Sequence, residues 1–194
     1  MNRKIAKRLC VTAAVGAVAG CLYSAIPKPV SRNDGPIRQA NEGYSLLHQL
    51  MSDESDASKI LILKHADDPV AGTVKEISDA CKAAKTRLDE FPKSDSRIEF
   101  DVPDLPRVEQ ESRDLDSSIE EKELLFSSGR TFELRLIYAQ AQAMEYGEVL
   151  CKALIAREDD PGRKAFVTNL AKQCADFRDR LLGLLAVSRE KKGS

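Results

Sequence analysis

From residue 37 onward, apolar side chains recur at steps of three and four, the spacing that gathers them on one face of a helix. Tyr44, Leu46, Leu47 and Leu50 make such a face over residues 37–50, and the polar run from Ser52 to Asp56 is expected to break it. Ile60 to Leu63 is an apolar run too short for periodicity to separate a strand from a buried helix. With no strong strand elsewhere to pair with, a strand here would leave its backbone groups unsatisfied, so a short helix over 56–64 is expected.

Asp67 or Asp68 can cap a third helix with Pro69 in its first turn, where a missing amide hydrogen costs nothing. Val70, Val74, Ile77, Cys81, Ala84 and Leu88 mark its buried stripe, and Phe91-Pro92 is expected to end it. Ile98, Phe100 and Val102 then alternate with polar residues, but three prolines crowd the stretch, which favours an extended crossover over a sheet strand. A fourth helix over 106–125 is strongly polar, with a thin apolar face of Val108, Leu115, Ile119 and Leu124. Ser127 to Arg130 reads as a turn from which Thr131 can cap the next helix.

The fifth helix, 131–157, carries Phe132, Leu136, Ala139, Ala143, Tyr146, Leu150 and Leu154. The sixth, 161–187, answers with Phe166, Leu170, Cys174, Phe177, Leu181 and Leu184, after a tight turn in which Asp159 or Asp160 caps and Pro161 opens the helix. The pattern predicts an all-α, four-helix-bundle-like domain over 37–188, preceded within it by two short helices and interrupted by an extended crossover. A basic tail, 189–194, is expected to fray.

The first 36 residues follow another logic. Arg3, Lys4, Lys7 and Arg8 precede an uncharged run from Leu9 to Gly20, the order of a secretory signal over 1–20. Val18, Ala19, Gly20 and Cys21 resemble the lipobox of bacterial lipoproteins, in which an apolar residue and two small residues precede an invariant cysteine. The resemblance implies that the Cys21 thiol receives a diacylglycerol, that cleavage falls before it, and that the chain faces the periplasm or exterior on a membrane of the cell envelope. Two acyl chains give stable attachment where one gives only marginal binding. Leu22, in place of an aspartate after the acceptor cysteine, goes with outer-membrane transport in similar Gram-negative lipoproteins. Residues 21–36, rich in Pro, Ser, Asn, Asp and Gly, read as the lipidated tether. Retention of the segment as a membrane-spanning anchor, an ordinary cleaved signal, and a cytosolic helix are the competing readings.

Cleavage before Cys21 would take Lys plus Arg from 30 to 26 against 31 Asp plus Glu, and the net charge from -1 to -5. That balance, without a basic patch carrying interleaved aromatics, argues against a nucleic-acid partner. Aromatics are 5% of the chain and tryptophan is absent, so the core should be aliphatic. Outside the signal the cysteines are Cys81, Cys151 and Cys174, each on an inward helical face, where a small buried hydrophobe is the simplest reading. Cys151 and Cys174 fall about 9 Å out of register across the last hairpin, too far for a disulfide, whose α-carbons lie within roughly 7 Å.

The residues point to no catalytic chemistry. A di-iron bundle needs Glu-x-x-His on two helices, and neither His48 nor His65 follows a glutamate by three. No HExxH, P-loop, GxGxxG or GxSxG is present, so no metal or cofactor is expected. Glu120, Glu121 and Glu123 beside Lys122 read as a solvated stretch. One possible binding surface stands out: Tyr138, about 80° from Tyr146 on the helical wheel, with Arg135 and Glu148 as rim charges. Tyr138 packing at a boundary under the crossover is the plainer alternative. The expected role is structural or protein-interaction, with an envelope protein or a second copy as partner; a small-molecule-binding or enzymatic bundle with an unrecognised site is the alternative.

Overall fold

The computed structural model describes residues 36–100 and 107–190. Cys21, the signal and tether, Val102 and the last four residues lie outside them. The fold is all-α, with no strand among the described residues. Its helices are α1 (Pro36–Glu54), α2 (Ile60–Leu63, entered through a 3-10 turn at Ala57–Lys59), α3 (Asp68–Leu88), α4 (Phe91–Ser94), α5 (Arg107–Phe126), α6 (Gly129–Ile155) and α7 (Pro161–Glu190).

Five of these are long where four were expected. The first helix does not stop at residue 50: Met51 and Glu54 are fully buried and continue the three-four spacing of Tyr44, Leu47 and Leu50, so the core carries the helix through the polar run. α1 packs against α3 and α6, and α3 against α7, while α6 and α7 pair along their lengths. Among the long helices, α5 has its main contact with α6. α2 is helical, as the lack of a strand partner demanded, and buries Ile60.

The α3 stripe from Val70 to Leu88 is buried throughout. α3 ends at Leu88, and Phe91-Pro92 opens the separate turn α4. The extended stretch after α4 lies against α1: Ile98 is buried, Asn41 Nδ2 donates to the Arg97 carbonyl at 2.9 Å, and Phe100 stacks on His48 with ring centres 4.8 Å apart. α6 buries Phe132, Leu136, Ala143 and Leu154 among others, and its small residues allow close approach. At Gly147, an added Cβ would meet Cys174 Sγ at 3.1 Å and Leu50 Cδ2 at 3.3 Å, so a glycine is what lets α1, α6 and α7 converge. Gly147, four residues before Cys151, stands against Cys174, and Cys151 and Cys174 are free thiols.

The start of α6 differs from expectation. Gly129, at φ 53°, makes the turn and opens the helix, so Thr131 lies inside it rather than capping it. Asp160 caps α7, accepting from Arg163 N at 2.7 Å.

Candidate interaction surface

α5 departs most from a normal amphipathic helix. At about 100° per residue, Val108, Leu115, Ile119 and Phe126 fall within about 40° of one another. They are 75, 65, 54 and 87% exposed. Leu124, grouped with three of them in the sequence reading, lies about 160° from Val108 on the wheel and is the residue that is buried, at 5% exposure. The thin face is therefore two faces: Leu124, with Leu125 beside it, docks the helix on the bundle, and a row of large apolar side chains points away from it. Isolated exposed hydrophobics need no explanation, but a row about 27 Å long does.

Among the described residues, these contacts tie α5 to the bundle. Lys64 Nζ donates to the Ser127 carbonyl at 3.1 Å, Ser127 Oγ caps the Leu124 carbonyl, and Arg135 forms an ion pair with Glu123. Tyr138 is exposed rather than tucked under the crossover, and its hydroxyl accepts from Gln142 Nε2. Leu134 and Val149 are exposed within about 60° of the same line on α6. Arg135 thus belongs to the α5–α6 edge beside Tyr138. Glu148 does not join them: it is buried and ion-paired with Lys152 and Arg178, facing α7. These cations and the Lys152 hydrogen bond hold its carboxyl below the usual range.

On the inner side of α5, Glu120 is half-buried rather than solvated. Burial first, then the charge of Asp116, raises its carboxyl to about 7. Glu54 of α1 is fully buried and also raised to about 7, by burial above all, with Asp53 and Glu120 adding to it against the hydrogen bond from Gln140 Nε2 at 2.7 Å. Glu54 Oε1, Gln140 Oε1 and Glu120 Oε2 are buried without a hydrogen-bond partner. A proton on Glu54 Oε1 converts it from acceptor to donor, and Gln140 Oε1 is the acceptor left over in the same pair. Both the burial of Glu54 and the unpaired acceptor beside it favour the protonated acid.

At the other end, Tyr44 Oη donates to Glu158 Oε2 at 2.5 Å, and Arg163 grips the same carboxylate with Nε at 2.8 Å and Nη2 at 3.0 Å. Asp160 N adds a fourth bond, and Arg163 Nη1 reaches Asp95 at 3.0 Å. Burial pushes Glu158 up, but the Arg163 and Tyr44 hydrogen bonds outweigh it and its carboxyl ends below the usual value. Burial, then Glu158, pushes the Tyr44 phenol far up. A cavity of about 420 Å³ opens beside this network, lined by Arg87, Ser94, Asp95, Arg97, Gly162 and Arg163 among others. Two of its arginines are committed to carboxylates: Arg97 to Asp95, and Arg163 to Glu158 and Asp95.

The thiols of Cys81, Cys151 and Cys174 are buried, and burial drives all three upward, Cys174 to about 12. His48 Nε2 donates to Asp89 at 2.7 Å, and no group of three His, Cys, Asp or Glu among the described residues is arranged to hold a metal. No helix among them is long and apolar enough to cross a membrane. No protein-family model matches the chain, and neither does any curated protein or solved structure.

The sequence reading missed Glu54, Gln140 and Glu158. Glu54 was legible in principle, since it extends the α1 stripe by three residues beyond Met51. Gln140 and Glu158 carry no such signal, because their burial follows from packing between distant helices.

Proposed function

We propose that this chain is a lipid-anchored envelope protein whose helical domain is an interaction module rather than a catalyst. In this reading α1, α3, α6 and α7 form a four-helix bundle, and α5 is laid on its outside to present the row Val108, Leu115, Ile119 and Phe126. That outward apolar row is the observation that carries the reading. Burying side chains of this kind is worth about 1.5–3 kcal/mol each, so a partner covering all four would gain several kcal/mol toward the cost of association. The Cys21 lipid, implied by the resemblance of residues 18–21 to a lipobox, would hold the module at a membrane on a tether reaching to Pro36.

The test places a photo-crosslinking amino acid at position 119, and separately at the exposed polar position 172, in the chain made with its own signal. A discrete adduct in the membrane fraction from 119 alone is expected. No adduct from 119, or the same adducts from 172, would sink the docking reading. An intact mass that still includes Met1 would sink the anchoring.

A further inference from the structure

We propose that the α5 row takes an amphipathic helix of a second protein whose flank is lined by lysine or arginine; this rests on the reading of that row as a docking surface. The steps of seven, four and seven between Val108, Leu115, Ile119 and Phe126 are those of a coiled-coil seam. A helix is therefore the shape that fits, with Ser112 and Lys122 at the two remaining seam positions.

The chemistry of the occupant follows from the flanks. Asp116 and Glu123 lie about 60–80° from the row on one side, with Glu120 behind them. Among the described residues, Glu123 pairs with Arg135, and Asp116 is close enough to Glu120 to help raise its carboxyl. That flank is acidic. The other is mixed, with Glu111, Ser118 and Lys122. An antiparallel second copy would set Asp116 and Glu123 against the same residues of its twin, which is unfavourable. An anionic lipid surface meets the same repulsion. A basic helix gains on both counts, through the apolar seam and through the charges beside it.

Two synthetic helical peptides of about three heptads test this. Both carry leucine at the seam positions; one has lysine and the other glutamate at the flanking positions. Each is titrated by fluorescence anisotropy into the full chain carrying Cys21→Ser. The lysine peptide should bind roughly tenfold or more tightly at low salt, with the gap closing at high salt. Asp116→Lys with Glu123→Lys should reverse the preference, and Leu115→Asp should abolish binding of both.

Equal binding of the two peptides, lost in Leu115→Asp, overturns the basic partner while leaving the docking surface intact. Binding that survives Leu115→Asp, or no binding of either peptide, overturns both. A Leu115-dependent dimer in sedimentation, formed at the concentrations of the titration, assigns the row to a second copy and also overturns the basic partner.

Discussion

Replacing Glu54 by glutamine isolates the buried acid between α1 and α6. The folded protein holds this carboxyl at about 7 against an ordinary value of 4.5. Below the ordinary value the group is protonated whether the chain is folded or not, and it adds no pH dependence. Between the two values the unfolded chain has released its proton and the folded chain has not, so stability falls as pH rises. Above about 7 both forms are ionised and the loss is complete. A raise of this size amounts to about 3 kcal/mol.

Glutamine is the natural mimic of the protonated acid, since its amide can donate to Gln140 Oε1 and accept from Gln140 Nε2. Glu54→Gln should lie within about 1 kcal/mol of the parent at pH 5 and exceed it by about 3 kcal/mol at pH 8. Urea unfolding monitored by circular dichroism at both pH values measures this. The difference between the two proteins cancels the titration of groups remote from Glu54; Glu120, whose charge adds to the rise of Glu54, has a half-exposed carboxyl that contributes the same sign but is damped by water. Groups held low, such as Asp89 and Glu158, act only at more acidic pH. Equal stability differences at pH 5 and pH 8, of whatever size, would refute the neutral-acid assignment.

Other substitutions test separate parts of the account by the same unfolding assay. Arg163→Met strips Glu158 of its guanidinium while leaving it buried, which should cost about 3 kcal/mol at pH 7. The deficit should shrink at pH 4, because burial alone then pushes Glu158 toward protonation. Gly72→Ala, with open space around the new methyl, should stabilise α3 by up to about 1 kcal/mol. Gly147→Ala, crowding Cys174 and Leu50, should show no gain or a loss of about 1 kcal/mol. On α5, Leu115→Asp should leave the unfolding midpoint within about 0.5 kcal/mol of the parent, while Leu124→Asp buries a charge and should lower it clearly.

Much of this architecture was legible because helix stripes are local. The spacing from Val70 to Leu88 assigned the inward face of α3, and the turn at Pro161 placed the last hairpin. The run from Ile60 to Leu63 was settled as helix by asking where a strand would find a partner. The errors share a cause, since each depended on what lay across the interface. The polar run from Ser52 to Asp56 reads as a helix stop, but Met51 and Glu54 are buried and carry α1 through to Glu54. Leu124 looked like a companion of Leu115 and Ile119 although it stands on the opposite side of α5; counting angles rather than apolar residues separates them. Arg135 pairs with Glu123 of α5 and Tyr138 is exposed one turn on, but Glu148, nearly three turns past Tyr138, faces α7.

The orientation of α5 is the central claim, and thiol labelling tests it most directly. In a chain with Cys10 and Cys21 changed to serine, the remaining native cysteines are buried with thiols held in the protonated form, so they stay silent toward maleimide. Cysteine is then introduced singly at positions 115, 119, 117 and 124. The account predicts that 115 and 119 label roughly tenfold or more faster than 117 and 124 in the folded protein, and that all four converge in urea. Protection at 115 and 119 with fast labelling at 117 and 124 would show α5 seated with its apolar row inward, and the docking surface would not exist.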